Sequence, residues 1–134
     1  MFNSFLNMKE SILFDKSCEL CGMILDLTDE LEKLGQKNIS KQLERCVTSI
    51  SANLSEANSS ESANDFIHKL KIAIKESNET YFWLKLIIKR KLIKVEDSIL
   101  KLLDEVQRML SSSIATAIKN QEIKRQQKKK PPSN

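Results

Sequence analysis

Glycine and proline are scarce, two of each in 134 residues, and both prolines, Pro131 and Pro132, stand within the last four positions. A β-rich domain needs turn residues spread along its length, so their absence argues against an all-β fold. Aromatic residues are few, at 5%, which leaves little scope for base stacking. Histidine occurs once, as His68. Cysteine occurs three times, an odd number that disfavours a disulfide framework and fits a reducing compartment. Charges interrupt every apolar patch, so no segment reads as a membrane span. The first residues, Met1 to Met8, carry neither the basic start nor the extended apolar stretch of a signal peptide. The expectation is a cytoplasmic protein with no membrane contact.

What is present is the composition of long helices: Leu, Ile, Lys, Glu and Ser dominate, with 40% hydrophobic and 30% charged residues. Net charge is +4 but divided unevenly. Residues 1–65 hold 6 Lys/Arg against 11 Asp/Glu, whereas residues 66–134 hold 16 against 7. An acidic half and a basic half favour contacts between unlike surfaces, or a polyanion on the basic side.

Four segments repeat apolar residues at alternating spacings of three and four, the pattern of a helix stripe facing other helices. The first row is Leu13, Ser17, Leu20, Ile24, Leu27, Leu31 and Leu34, stopped by Gly35, with a second row Phe14, Cys18, Cys21, Leu25 beside it. The second is Ile39, Leu43, Val47, Ile50, Leu54 and Ala57, with Asn38 or Ser40 available as N-cap. Ser62 and Asp65 then form a capping-box-like start to Phe66, Leu70, Ala73, Ser77, Thr80, Leu84 and Ile87. Ile67, Ile74, Tyr81 and Ile88 run parallel to this row. The fourth row is Val95, Ile99, Leu102, Val106 and Met109, flanked by Leu103, Leu110 and Ile114. The spacing predicts helices over 8–34, 39–57, 62–92 and 96–119. Short connections make consecutive helices antiparallel, so the chain reads as all-α, a single up-down four-helix bundle domain over 1–120 with a basic, flexible tail over 121–134. Phe82, Trp83 and Leu86 lie outside the main rows of the third helix, and such extra apolar faces point to self-association.

Catalytic constellations fare poorly. Cys18-x-x-Cys21 lies mid-helix, where its residues read as small core side chains. Asp65-x-x-His68 is the single approach to a di-metal motif, and one histidine cannot supply a second. No glycine-rich phosphate loop or nucleophile elbow exists, and Glu76/Glu79 read as surface pairing residues. The expectation is that the protein is not an enzyme and holds no metal or cofactor.

Two constellations remain. Gln42, Arg45, Ser49, Asn53 and Glu56 line one face of the second helix, either as a solvated face or as a hydrogen-bonded row fixing register or a subunit contact. The second is basic: Lys69, Lys71, Lys75, Lys85, Lys89, Arg90, Lys91 and Lys94, joined by Lys124, Arg125, Lys128, Lys129 and Lys130. These residues either solubilise the protein or attract a phosphate backbone, RNA or DNA, without sequence preference.

The blocks RCVTSISANLSEA (45–57) and DFIHKLKIAIKESNETYFWL (65–84) resemble the hallmark of the four helix bundle protein family. This is also the intervening-sequence family of reading frames within large-subunit ribosomal RNA genes, and it includes accessory variability determinants of diversity-generating retroelements. The resemblance spans roughly residues 10–118. It implies an up-down bundle assembled as a homopentameric barrel, without catalytic residues, whose accessory members bind nucleic acid and a reverse transcriptase. Arg45, Ser49, Asn53 and Glu56 match the family's polar signature, and Phe66, Lys69, Lys75, Glu76, Glu79, Tyr81 and Trp83 its second block. Ala57 stands where many members carry glycine. The expected role is a homo-oligomeric nucleic-acid accessory protein, with Trp83 and Leu86 and the polar row as subunit contacts. The alternative is a protein-only scaffold or adaptor.

Overall fold

A computed structural model describes residues 4–129 and residue 131. Four helices, α1 (Ser4–Lys33), α2 (Lys37–Asn58), α3 (Ala63–Lys89) and α4 (Asp97–Lys129), make up the fold, and the described residues contain no strand. Each helix packs against its sequence neighbours and α4 closes against α1, while the diagonal pairs stay apart. This is the four-helix ring that the periodicity implies.

The helix ends follow from local chemistry. At the end of α1, Gly35 takes a left-handed φ of 80°, Gly35 N donates to Glu32 O at 3.0 Å, and Gln36 N donates to Leu31 O at 2.9 Å. These two bonds satisfy carbonyls that the helix leaves open, and glycine enters this conformation without a Cβ clash. The end of α3 repeats the arrangement with a worse residue: Lys91 takes φ 53°, its N donates to Ile88 O at 3.1 Å, and Leu92 N donates to Ile87 O at 3.1 Å. The reversal at Lys91 stops α3 at Lys89, short of the expected residue 92. Ser62 caps α3 as its sequence predicts, its Oγ accepting from Asp65 N at 3.1 Å.

The start of α2 differs from expectation. Gln36 occupies the cap position without a side-chain bond, and both Asn38 and Ser40 lie inside the helix. Ser40 is buried and its hydroxyl donates to Thr28 O at 2.9 Å, because here a short side chain lets α2 approach α1 closely.

The core runs through all four helices, with Leu20, Ile24, Leu43, Ile50, Leu70, Leu84, Leu103 and Leu110 fully buried. Each such side chain contributes about 1.5–3 kcal/mol by leaving water. The expected rows of α2 and α3 match, except that Ile39 is half-buried and, in the parallel row of α3, Ile74 and Ile88 are half-buried and Tyr81 is exposed. Leu34 corrects the α1 row: past the last turn of α1, it is 59% exposed. The α4 row is also rotated. Ile99, Leu103, Val106, Leu110 and Ser113 face the centre, whereas Val95, Leu102 and Met109 are half-buried at the edge. Two adjacent apolar rows on one helix look alike in sequence, and packing against α1 and α3 selects between them.

Helix α4 continues to Lys129 rather than ending near residue 119, so residues 121–129 are helical and not a loose tail. This segment contains no glycine or proline, and the cations Lys128 and Lys129 in its last turn favour the helix dipole. Two side-chain bonds set its register against α3. Gln107 Nε2 donates to Asn78 Oδ1 at 3.0 Å, and Gln121 Nε2 donates to Asn64 Oδ1. None of the described helices is long and apolar enough to cross a membrane.

Candidate functional site

The polar row of α2 meets α3 along one seam. At one end Lys69 Nζ donates to Glu56 Oε2 at 2.9 Å. In the middle, half-buried Asn53 donates from Nδ2 to Ser49 O at 2.8 Å and to Ser49 Oγ at 3.0 Å. At the other end Arg45 forks, Nη1 reaching Glu76 Oε2 at 3.2 Å and Nη2 reaching Glu79 Oε2, while its Nε donates to Gln42 Oε1 at 3.3 Å. Arg45 and Glu56 bond across to α3, while the bonds of Gln42, Ser49 and Asn53 stay within α2 at spacings of three and four.

The electrostatics are those of a paired clamp. The hydrogen bond with Glu79 holds the Arg45 guanidinium charged, and the same bond holds the Glu79 carboxyl below its usual range. Glu56 raises Lys69 in the same manner. Trp83 Nε1 is buried and has no hydrogen-bond acceptor among the described residues.

Beside the seam lies an apolar surface. Trp83 and Leu86 are half-buried, while Tyr81 is 47% and Phe82 55% exposed. The Phe82 and Trp83 rings meet edge to face with centroids 5.0 Å apart, and Lys85 Nζ stands 5.9 Å from the Tyr81 ring centroid. Spacing alone assigns Tyr81 to a packed row, so its exposure carries no sequence signal beyond its place at the edge of the stripe. Ile12, Ile118 and Ile123 are also exposed, at 44–48%.

The basic residues separate into paired and unpaired sets. Lys69 is held by Glu56, and Lys94 Nζ stands 3.5 Å from Glu96 Oε1. Lys71, Lys75, Lys89, Arg90 and Lys91 are exposed and enter no ion pair among the described residues. Lys85, Lys91 and Lys94 line an open groove of about 590 Å³ at the α3–α4 turn, together with Asp97 and the apolar Ile88, Ile93, Val95 and Leu100. Lys124, Arg125, Lys128 and Lys129 are exposed on the end of α4, and Lys130 lies outside the described residues.

The cysteines do not converge. Cys46 is buried and accepts from Thr80 Oγ1 at 3.2 Å, Cys21 is half-buried, and Cys18 is exposed, which corrects its reading as a core residue. Burial pushes the Cys21 and Cys46 thiols up. His68 and Asp65 are both exposed, and no described cluster of three His, Cys, Asp or Glu could hold a metal ion.

Comparison with known proteins agrees with this architecture. The model of the 23S rRNA-intervening sequence protein family matches residues 9–112. A crystal structure of a protein of unknown function from the S23 ribosomal protein family of Bacteroides thetaiotaomicron is similar, with a TM-score of 0.75 and 40% identity. The match covers 80% of this chain and 98% of that one. No curated protein matches the chain.

Proposed function

The chain belongs to the 23S rRNA-intervening sequence protein family, and on that premise we propose that it is a non-catalytic, homo-oligomeric accessory protein that binds nucleic acid. The observation that carries this reading is a set of exposed cations that enter no ion pair among the described residues. Lys71, Lys75, Lys89, Arg90 and Lys91 on α3 and its turn, and Lys124, Arg125, Lys128 and Lys129 on α4, all face solvent. Such a distribution attracts RNA or DNA through its phosphates and without sequence preference. The α2–α3 clamp turns its charges on each other, which keeps that seam out of the polyanion surface.

Self-association is supported by the apolar surface of Phe82, Trp83 and Leu86, which a lone bundle leaves open. A closed ring, a homopentamer by the family resemblance, would bury it and gather the basic surfaces of several copies. The protein partner under this reading is a reverse transcriptase of a diversity-generating retroelement, and the odd cysteine count suits a reducing cytoplasm. Among the described residues no nucleophile, base and orienting group converge, which favours a binding role over catalysis.

An electrophoretic shift titration of labelled RNA at stepped salt concentrations tests the proposal. Binding that weakens steeply with salt is expected. No binding at the lowest salt removes the nucleic-acid role and leaves a protein-only scaffold, for which exposed Tyr81 and Phe82 would be the contact surface.

A further inference from the structure

We infer that the projecting end of α4, Glu122–Lys129, is a preformed basic helix that grips the nucleic-acid backbone. The inference rests on the nucleic-acid reading above and assigns the element that does the holding. It begins from register. Asn78 meets Gln107 and Asn64 meets Gln121, the same fourteen-residue step on both antiparallel helices, so α3 and α4 run level throughout. Helix α3 begins at Ala63, so α4 passes its last α3 neighbour at about Gln121. On the other side Lys16 Nζ meets Glu105 Oε1 at 2.8 Å. Counting twelve residues outward along both helices puts Ser4, where α1 begins, level with residue 117. The last eight residues of α4 therefore extend about 12 Å beyond the described ends of α1 and α3. All of them are exposed.

An isolated helix of this length does not form in water, because nucleation is unfavourable. Here the nucleus already exists in the packed part of α4, and the extension needs only propagation.

Chemistry selects the occupant. The centre-facing row of α4 is Ile99, Leu103, Val106, Leu110 and Ser113. At the same spacing it continues through Ala117 and Gln121 to Lys124 and Lys128. A helix prepared for a protein groove keeps that row apolar, as in a coiled coil. In this extension it becomes cationic, and the one large apolar residue, Ile123, points elsewhere. The helix dipole accounts for cations in the last turn, Lys128 and Lys129, but its effect fades before Lys124 and Arg125. Lys124 with Lys128, and Arg125 with Lys129, form two pairs four residues apart, each separated by about 5–6 Å at Cβ. That repeat is close to the distance between successive phosphates along a strand. Against these four cations stands one acid, Glu122.

Fluorescence anisotropy of a labelled RNA hairpin, titrated with the full-length chain at stepped KCl, tests the assignment. The variant K124Q/R125Q/K128Q/K129Q is expected to melt as wild type does, to bind about tenfold or more weakly near 0.1 M salt, and to flatten the slope of log affinity against log salt by about 3. Q126P keeps every charge but breaks the helix, and is expected to bind severalfold more weakly. If the quadruple variant binds as wild type does while K71Q/K75Q/K89Q loses binding, the assignment is overturned and the nucleic-acid reading stands. Wild-type affinity in Q126P also overturns it, since charge without helix would then suffice. Binding to phosphatidylserine vesicles in place of RNA overturns it in favour of a membrane surface. A wild-type protein that ignores RNA at the lowest salt overturns both readings.

Discussion

Arg45 and Glu79 stand 34 residues apart in the chain, yet the guanidinium of one grips the carboxylate of the other across the α2–α3 seam. The bond lowers Glu79 from its ordinary value of 4.5, so the folded protein holds this carboxyl's proton less tightly than the unfolded chain does. The resulting stability is complete above the ordinary value and is lost as pH falls through the lowered one. Wild type is therefore expected to be more stable than Glu79→Gln at neutral pH, with the gap closing below about pH 4.5. Urea denaturation at several pH values checks this. A gap unchanged into acid would show that the pair is not coupled to folding.

The left-handed turn at Lys91 offers a stabilising substitution. A residue with a Cβ is disfavoured at φ 53°, and glycine is not. Lys91→Gly is expected to raise stability by about 1 kcal/mol, read as a higher denaturant midpoint. A lower midpoint would mean that the lysine side chain supports the turn.

Core and surface leucines separate sharply. Leu70 is fully buried, and Leu70→Ala is expected to cost about 2–5 kcal/mol. Leu34 is 59% exposed, and Leu34→Ala should fall within about 0.5 kcal/mol of wild type. Equal losses at the two positions in chemical denaturation would place Leu34 in a buried contact, inside the chain or between copies.

The thiols should react in order of exposure. Cys18 is exposed, while Cys21 and Cys46 are raised by burial and remain protonated thiols at neutral pH. Ellman's reagent is expected to modify one thiol quickly and the remainder slowly, with Cys46 released only on unfolding. Rapid modification of Cys46 would indicate local opening between α2 and α3.

Phe82 tests the proposed subunit contact without risk to the core, because it is 55% exposed. Phe82→Glu is expected to give monomers in light scattering with unchanged helicity. An unchanged mass would locate the contact elsewhere.

The periodicity of apolar residues made α2 and α3 legible down to Leu43, Val47, Leu70 and Leu84, because the row of three-and-four spacing is unbroken along each helix. Ser62 and Gly35 were legible for the same reason: a cap and a left-handed turn are local. Helix α4 was less so. Its parallel rows, Leu102 with Met109 and Leu103 with Leu110, are equally apolar, and only neighbouring helices decide which faces inward. Lys91 in a conformation suited to glycine, and Ser40 as a helix–helix contact instead of a cap, are likewise imposed by tertiary structure. The polar row of α2 could be read from sequence, but its partners on α3 could not, since they depend on inter-helix register. The overhang of α4 depends on that register too. A charged segment with Ile123 as its one large apolar residue reads as a tail until Gln121 is seen bonded to Asn64.

Native mass spectrometry of the full-length protein, with and without a short RNA, addresses self-association and nucleic-acid binding together. A ring-forming accessory protein gives a species at a whole multiple of the 15.4 kDa chain mass, five by the proposed assembly, that gains the mass of bound RNA. A 15.4 kDa monomer that gains nothing would contradict both halves of the proposed function.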